Sequence, residues 1–295
     1  MENLEMHERV FRIGSYDIYK KGTASVENLR ILNTGNKYGC MNTKPSCYPE
    51  GMSLEKRQIE FLKHRALLAI DNDFAFNPYK FYMPSQNGEG KAVELTREMV
   101  EACEDGWDLD IPGDILVVTD KTPGVVAGFP VADCPVIIAS DLKNGVTATA
   151  HCSADMIDNY LPKITIEALQ SDYNSKLDDI YVYIGAHAGN SWTYDTWPKW
   201  AKEDFWEKTG AITEKDGIYR INLGVAMLSQ LNPEVFDTFI INNDDTITNP
   251  NYYSNSAART DKSKDGRHFE GAYYQKIKDY KEEFRLFFLF VILFY

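Results

Sequence analysis

Cys134 and His151 are the residues whose types and spacing point most directly to chemistry. Cys134 ends the segment PVADC and precedes an apolar run, and His151 directly follows the run VTATA. An imidazole beside a thiol can accept its proton and leave a thiolate nucleophile. The same two groups can instead supply two of the three protein ligands of a catalytic zinc ion. In a third interpretation, Cys134 is a small buried side chain and His151 is a hydrogen-bonded residue at a strand end.

The sequence predicts that these two residues meet, because the segments beside them are typical of one β-hairpin. The runs PVIIAS and VTATA are rich in β-branched residues, and the short polar segment 141–145 separates them. In an antiparallel hairpin, a residue just before the first strand lies beside a residue just after the second. Cys134 and His151 lie at nearly equal distances from the turn. We therefore expect them to be neighbours.

Further strands and helices are predicted around this hairpin. Three further segments have the composition typical of buried strands, namely DILVVT (114–119), IYVYI (180–184) and FDTFII (236–241). Helical patterns cover 53–70, 157–170, 198–208 and 223–231. In the first of these helices, Ser53 is the expected cap. Its predicted apolar face consists of Ile59, Leu62, Ala66 and Ile70. Strands mixed with helices and joined by tight turns predict an α/β (α+β) fold with mixed sheets covered by helices.

Composition excludes several classes of protein. The chain has 295 residues, of which 44% are hydrophobic and 25% charged, and this excludes disorder as its main state. With 44 acidic and 31 basic residues, its net charge is −13. We therefore expect no nucleic-acid partner, because an acidic surface repels phosphates. Five cysteines without a CxxC pair predict neither a disulfide framework nor a zinc ribbon. No secretory leader is evident, so the expected location is cytoplasmic.

The chain is predicted to form one domain over residues 1–283, followed by an apolar tail over 284–295. The last ten residues read LFFLFVILFY, about half the length of a membrane-spanning helix. No membrane span is therefore expected. The tail has several interpretations, namely peripheral packing, an interfacial anchor, a strand that closes a sheet, or an artefact of the sequence. It is given no catalytic role.

Motifs on both sides of the hairpin resemble those of the YfiH-like family, which is also called the multicopper polyphenol oxidase or laccase-domain family. The segment 132–135, Ala-Asp-Cys-Pro, is similar to the family's Ala-Asp-Cys-x-Pro. The segment 151–156 is similar to its His-Ala-Gly-Trp-Arg-Gly, and 184–189 to its Ile-Gly-Pro-x-Ile-Gly. Weaker similarities follow the family order at 38–42, 85–88 and 253–267. The resemblance spans about Gly39 to Ala272.

This resemblance implies a fold, a reaction and a cofactor. The implied fold is a four-layer α/β/β/α arrangement shared with cysteine hydrolases of the cytotoxic-necrotizing-factor type. The implied reaction is zinc-dependent phosphorolysis or deamination of purine nucleosides, so the expected partner is a small molecule. The family's zinc ligands fall on Cys134, His151 and Asn87. An amide oxygen at Asn87 is a poorer zinc ligand than the family's imidazole, so the expected site is weaker unless Asp155, His187 or Cys152 supplies the third ligand. The oligomeric state is not predicted.

The remaining candidate site residues complete this prediction. Asp155 joins Cys134 and His151 as a catalytic candidate and stands where the family has an arginine. Because a carboxylate repels phosphate, this change counts against phosphorolysis. The candidates for substrate binding are Asn42, Gln86, His187 and Arg259. His187 has no counterpart in the family pattern and is included because it follows a strand in a turn of small residues. Two alternatives stay open: a metal-free Cys–His hydrolase or deamidase, and a non-catalytic binding relative that has lost its metal site.

Overall fold

The computed structural model describes residues 11–13, 15–20, 29–43, 45–72, 76–77, 80–86, 88–102 and 109–275. Asn87 and the apolar tail 284–295 lie outside these ranges, and the prediction of one domain over 1–283 stays a prediction. The α-helices are α1 (Leu54–Asp71), α2 (Arg97–Ala102), α3 (Ala154–Asp158), α4 (Leu161–Tyr173), α5 (Glu203–Trp206) and α6 (Leu223–Leu228). Short 3-10 turns occupy Pro45–Cys47, Leu177–Asp179, Pro233–Val235, Ala257–Arg259 and Lys262–Lys264. Among the described helices, none combines the length and the apolar character needed to cross a bilayer.

The strands of the first half of the chain are β1 (Phe11–Ile13), β2 (Tyr16–Lys20), β3 (Leu29–Asn33), β4 (Phe81–Tyr82), β5 (Pro84–Ser85), β6 (Ala92–Glu94), β7 (Leu109–Pro112), β8 (Ile115–Thr119) and β9 (Val126–Val131). Those of the second half are β10 (Val136–Asp141), β11 (Val146–His151), β12 (Ile180–Ile184), β13 (Trp192–Tyr194), β14 (Ile212–Lys215), β15 (Ile218–Ile221), β16 (Thr238–Asn242) and β17 (His268–Tyr274).

Two mixed sheets form the centre of the described structure. The large sheet has the order β1-β2-β16-β12-β10-β11-β8-β6, and the second sheet has the order β3-β17-β9-β4. Both contain parallel and antiparallel neighbours: β12 and β16 are parallel, as are β4 and β9, whereas β17 is antiparallel to both of its neighbours. Two smaller sheets, β13-β15-β14 and β5-β7, accompany them.

The packing produces four layers. On one face of the large sheet, Ile137 and Val182 join an apolar cluster with residues of α3, α4 and α6, such as Leu169. On the other face, Ile138 packs against the second sheet. The outer face of the second sheet is covered by α1, through residues such as Phe61. The alternation along β10 follows from the two-residue period of a strand. The mixed α/β/β/α fold implied by the resemblance is therefore confirmed.

The helices differ from their predicted bounds for local reasons. The Ser53 hydroxyl caps α1 as predicted and accepts a hydrogen bond from the Lys56 amide at 3.3 Å. The predicted apolar face is confirmed at Ala66 and wrong at Ile70, which is 40% exposed, whereas Ile59 and Leu62 are half-buried. The side chains that α1 buries are Phe61, Arg65, Ala66, Leu68 and Ala69. The predicted helix 157–170 is divided into α3 and α4 at Tyr160, which has a φ of +62°. Pro162 then stands in the first turn of α4, the position where proline is tolerated.

Candidate active site at the open end of the central hairpin

The β10–β11 hairpin brings Cys134 and His151 to the same end of the large sheet. The two strands are antiparallel, and Val136 lies opposite His151. The Cys152 amide also donates to the Pro135 carbonyl oxygen at 2.9 Å, so pairing continues beyond the last strand residues. The predicted hairpin is thus confirmed in both its strands and its register. The chemical roles of Cys134 and His151 remain predictions.

His151 is oriented by Gln86. The imidazole Nδ1 lies 2.7 Å from Gln86 Oε1. An amide oxygen only accepts hydrogen bonds, so Nδ1 carries the proton in this pair, and in the neutral imidazole Nε2 then holds the lone pair. The imidazole ring also packs near Phe129 of the second sheet, with 5.9 Å between ring centroids. His151 therefore belongs to the face of the large sheet that meets the second sheet.

The loop that carries Gln86 is held by a buried carboxylate that sequence reasoning missed. Asp114 accepts hydrogen bonds from the Gly88 amide at 3.1 Å and from the Gly90 amide at 2.8 Å. It lies immediately before β8, so it ties the loop to the sheet beside the hairpin. Sequence reasoning could have found Asp114, because a carboxylate at the start of a buried strand needs hydrogen-bond donors nearby to offset the cost of burying its charge.

Asp133 fixes the backbone that carries Cys134. It adopts a φ of +80°, which is uncommon for a residue other than glycine. Its carboxylate accepts hydrogen bonds from the Thr246 hydroxyl at 2.8 Å and the Ser256 amide at 2.7 Å. Its carbonyl oxygen accepts a third hydrogen bond, from the Ala188 amide at 2.7 Å. The buried Asp133 thus joins three segments of the chain at the position next to the thiol.

The Cys134 thiol is half-buried and has charged neighbours of both signs. Burial of the thiol, together with the negative charges of Asp133 and Asp155, raises its pKa to about 12, and the positive charge of Arg267 opposes this shift. At neutral pH the thiol therefore carries its proton. This protonation state favours a hydrogen-bond donor over a preformed thiolate nucleophile.

Cys152 stands beside this site but belongs to another part of the protein. It is fully buried in the apolar cluster beneath the helices. Burial raises the pKa of its thiol above the ordinary range. Its sulfur lies 3.8 Å from the Ala150 carbonyl oxygen. Its role is packing, which makes it a natural control for Cys134.

Two further predicted site residues, Asp155 and His187, lie in different surroundings. Asp155 lies in the first turn of α3 and acts on Cys134 through its charge, so it lies at the hairpin end with Gln86. His187 is buried, and its Nδ1 donates to the Gly185 carbonyl oxygen at 2.9 Å. Its Nε2 approaches α6, where Gly224 leaves room for it. Burial lowers the pKa of His187.

Asn42 and Arg259 lie in two further places. The Asn42 carbonyl oxygen accepts a hydrogen bond from the Tyr48 hydroxyl at 2.8 Å. Arg259 lines a surface pocket with Trp192 and Lys264, and neither Cys134 nor His151 lines that pocket. Arg267 is the arginine whose charge acts on Cys134. Sequence reasoning could have found Arg267 from the Gly266-Arg267 pair, which lies in the segment 253–267 that resembles a family motif.

The described residues fall short of the three-ligand zinc centre that the resemblance implies. A thiol and an imidazole are suitable zinc donors, but a catalytic zinc ion usually has three protein ligands. In the part of the chain that the structure describes, no three His, Cys, Asp or Glu side chains are grouped to hold a metal ion. The third predicted position, Asn87, lies outside that part. The donors at hand therefore do not fit this centre, and no chemical step is derived through zinc.

The comparisons with known proteins agree with the fold and with the hairpin motifs. The family model described as multi-copper polyphenol oxidoreductase laccase matches residues 63–274. The chain therefore belongs to this family. No curated protein matches the chain.

Several solved structures share the fold at low sequence identity. YlmD from Geobacillus stearothermophilus is similar with a TM-score of 0.63 and 16% identity, over 91% of this chain and 100% of that one. YfiH from Bacillus licheniformis is similar with a TM-score of 0.58 and 16% identity, over 88% and 91%. A protein of Neisseria meningitidis has a TM-score of 0.57 and 13% identity, over 90% and 96%. These similarities show the fold.

The histidines that the structure describes do not form the donor set that the family's name suggests. The whole chain has five histidines. His64 Nδ1 pairs with the Cys40 carbonyl oxygen at 2.8 Å, and His187 is turned toward α6. His268 is fully buried on β17 and packs edge-on against Tyr252, with 5.0 Å between ring centroids. Copper centres in proteins use clustered His and Cys ligands. Of the four described histidines, His151 is the one at the hairpin end.

Proposed function

We propose that this chain is an enzyme that acts on a purine nucleoside, with Cys134 and His151 as its reactive groups. The observation that carries the proposal is the register of the hairpin, which sets His151 opposite Val136 at the strand end that Cys134 precedes. Gln86 supports it by holding His151 in the tautomer whose Nε2 can accept a proton. The nucleoside as substrate comes from the family resemblance.

The charges around Cys134 favour hydrolytic deamination over phosphorolysis. Asp133 and Asp155 both act on the thiol, against the single positive charge of Arg267. A phosphate dianion would be repelled there, whereas neutral water would not. In the proposed reaction, His151 takes a proton from a water molecule that attacks C6 of adenosine. The His151 imidazolium then passes this proton to the exocyclic amine, the C6–N bond breaks with its electron pair leaving on nitrogen, and the products are ammonia and inosine. The neutral Cys134 thiol donates a hydrogen bond to the substrate.

Assays of ammonia and free purine base distinguish these reactions. The full chain is incubated with adenosine or inosine, with and without phosphate. We expect phosphate-independent ammonia release from adenosine, and a loss of about 100-fold in Cys134→Ala and in His151→Asn, the usual scale for an acid–base group. Cys152→Ala is the matched control and is expected to keep its turnover. Unchanged turnover in both site variants would refute the proposal, and release of free base only with phosphate would replace deamination by phosphorolysis.

Metal content tests the two-donor site separately. We expect clearly less than one zinc ion per chain after purification without chelator, because an amide at position 87 is a poor third ligand. Asn87→His is expected to raise the zinc content toward one per chain, measured by elemental analysis. The contradicting result would be one zinc ion per chain that is lost in Cys134→Ala but kept in Cys152→Ala. That result would support a zinc-dependent reaction.

A further inference from the structure

A surface pocket is lined by residues that follow β12 and β16 and by the Ala257–Arg259 turn. It has a volume of about 470 Å³, within the range of small-molecule sites. The lining residues that could contact a ligand include Ser191, Trp192, Thr193, Ser256, Arg259 and Lys264. Cys134 and His151 are not among them. The pocket adjoins the candidate active site through the Ser256 amide, which donates to Asp133.

The Arg259 guanidinium is available to a ligand. It is exposed, and it makes no hydrogen bond or ion pair with any residue that the structure describes. Lys264 differs, because its ammonium group donates to the carbonyl oxygens of Asn249 at 2.5 Å and Tyr252 at 3.0 Å. A guanidinium presents a planar fork of donors that suits phosphate and carboxylate groups.

The pocket has charges of both signs. Arg259, Lys264 and Asp261 line it. The carboxylates of Asp133 and Asp245 lie behind its wall, where they accept hydrogen bonds from the amides of Ser256 and Ser191. The Asp261 carboxylate is engaged locally, since it accepts hydrogen bonds from the amide and hydroxyl of Ser263 at 3.0 and 2.7 Å. Since these carboxylates and Lys264 are held by their own hydrogen bonds, the exposed Arg259 guanidinium is the charged group that favours an anion at this pocket.

Trp192 adds an aromatic wall. Its ring is stacked on Trp200, with centroids 5.3 Å apart and an interplanar angle of 16°. Trp200 in turn packs edge-on against the buried Trp206 at 5.1 Å. This series of rings holds Trp192 in place without closing the pocket, since Trp192 is only half-buried. The hydroxyls of Ser191, Thr193 and Ser256 add polar groups that have no hydrogen-bond partner among the described residues.

We propose that this pocket binds an aromatic anion of nucleoside-phosphate size, with its ring against Trp192 and its anionic group on the Arg259 guanidinium. The serine and threonine hydroxyls give further hydrogen bonds to the anion. This inference stands apart from turnover at Cys134, because the two sites share no lining residue.

Calorimetric titration of the full chain with AMP, adenosine and inorganic phosphate tests the pocket. AMP is expected to bind at least about tenfold more tightly than either of the others, because only AMP offers both ring and anion. Indole-3-acetate in a parallel titration shows whether a carboxylate replaces the phosphate. Arg259→Gln is expected to weaken anion binding about tenfold, and Trp192→Leu to weaken it while Trp192→Phe preserves it.

Lys262→Gln provides the matched control, since it removes the same charge from an exposed neighbour that does not line the pocket. It is expected to bind AMP as the parent does. Cys134→Ala is also expected to bind AMP normally, which separates this inference from the proposed reaction. AMP binding that Arg259→Gln leaves unchanged, or an equal loss in Arg259→Gln and Lys262→Gln, would overturn the inference.

Discussion

The two faces of the large sheet differ in what they bury. The helix-covered face holds an apolar cluster that includes Ile137 and Cys152. The face that meets the second sheet also buries ionisable groups near the hairpin end, namely Glu270 and His268, both fully enclosed. His151 lies at the margin of this same face, beside Phe129. The large sheet thus has an apolar packing face toward the helices and a second face, toward the other sheet, where ionisable side chains are also buried.

Glu270 shows how the second face tolerates a carboxyl group. Its Oε1 accepts a hydrogen bond from the Ala186 amide at 2.9 Å, whereas Oε2 and both ring nitrogens of His268 have no hydrogen-bond partner. Gly185 is required here, since a side chain at this position would collide with the Glu270 carboxyl group. Burial raises the pKa of Glu270 to about 8 and lowers the pKa of His268 to about 3, so both are neutral at pH 7. The polar face is therefore uncharged at this point.

The largest effect should come from placing a carboxyl group on the packing face. Ile137→Glu would bury an acid among apolar side chains that offer it no donor. We expect a loss of about 4 kcal/mol or more in the free energy of unfolding, or failure to fold. Urea denaturation measures this, with Ile137→Leu as the volume-conserving control, expected to lose less than about 1.5 kcal/mol. Near-parent stability of Ile137→Glu would remove the distinction between the two faces.

A smaller change, an increase in the free energy of unfolding, is expected when Glu270 is replaced by glutamine at high pH. Its pKa is about 8 in the folded protein and 4.5 ordinarily, so the folded state binds the extra proton between these values. Stability must then fall as pH rises through this window. Glu270→Gln removes the titration and is expected to be more stable than the parent by a few kcal/mol at pH 9, with little difference at pH 4.

Denaturation at several pH values checks this expectation. Glu214→Gln, at an exposed position, is the control and should follow the parent at every pH. If the Glu270→Gln difference stays constant from pH 4 to pH 9, the buried acid does not titrate as the structure implies.

The smallest effect concerns Gln86, which acts through His151. Gln86→Ala removes the acceptor for Nδ1 and is expected to lower kcat for adenosine about tenfold with little change in KM. Gln86→Glu keeps an acceptor, so it should restore kcat and move the pH–rate profile toward higher pH, because a carboxylate favours the protonated imidazole. Gln58→Ala, exposed on α1, is the control. A loss in KM alone would mean that Gln86 binds substrate and does not position His151.

The sequence predicted those parts of the fold whose signals are local. The strands of the hairpin and the Ser53 cap of α1 follow from β-branched runs and a capping residue, and both are confirmed. The small β13-β15-β14 sheet was missed, although Asp216 and Gly217, both with positive φ, form a typical hairpin turn between β14 and β15. Its strands are short and partly exposed, so their apolar pattern is weak.

The candidate site could be predicted only in part. Spacing along one hairpin was enough to bring Cys134 and His151 to one strand end. It could not identify Asp114 or Arg267, because their proximity depends on the 88–90 loop and on the stacking of the second sheet, which are contacts distant in sequence. Spacing also could not show that Arg259 lines a different pocket from the site at the hairpin end.

A double-mutant cycle on adenosine turnover tests the central claim most directly. If Cys134 and His151 act as one reactive unit, Cys134→Ala, His151→Asn and the double variant should all have nearly the same low kcat, because removing either group already disables the unit. Losses that multiply in the double variant, or turnover retained in either single variant, would contradict the account.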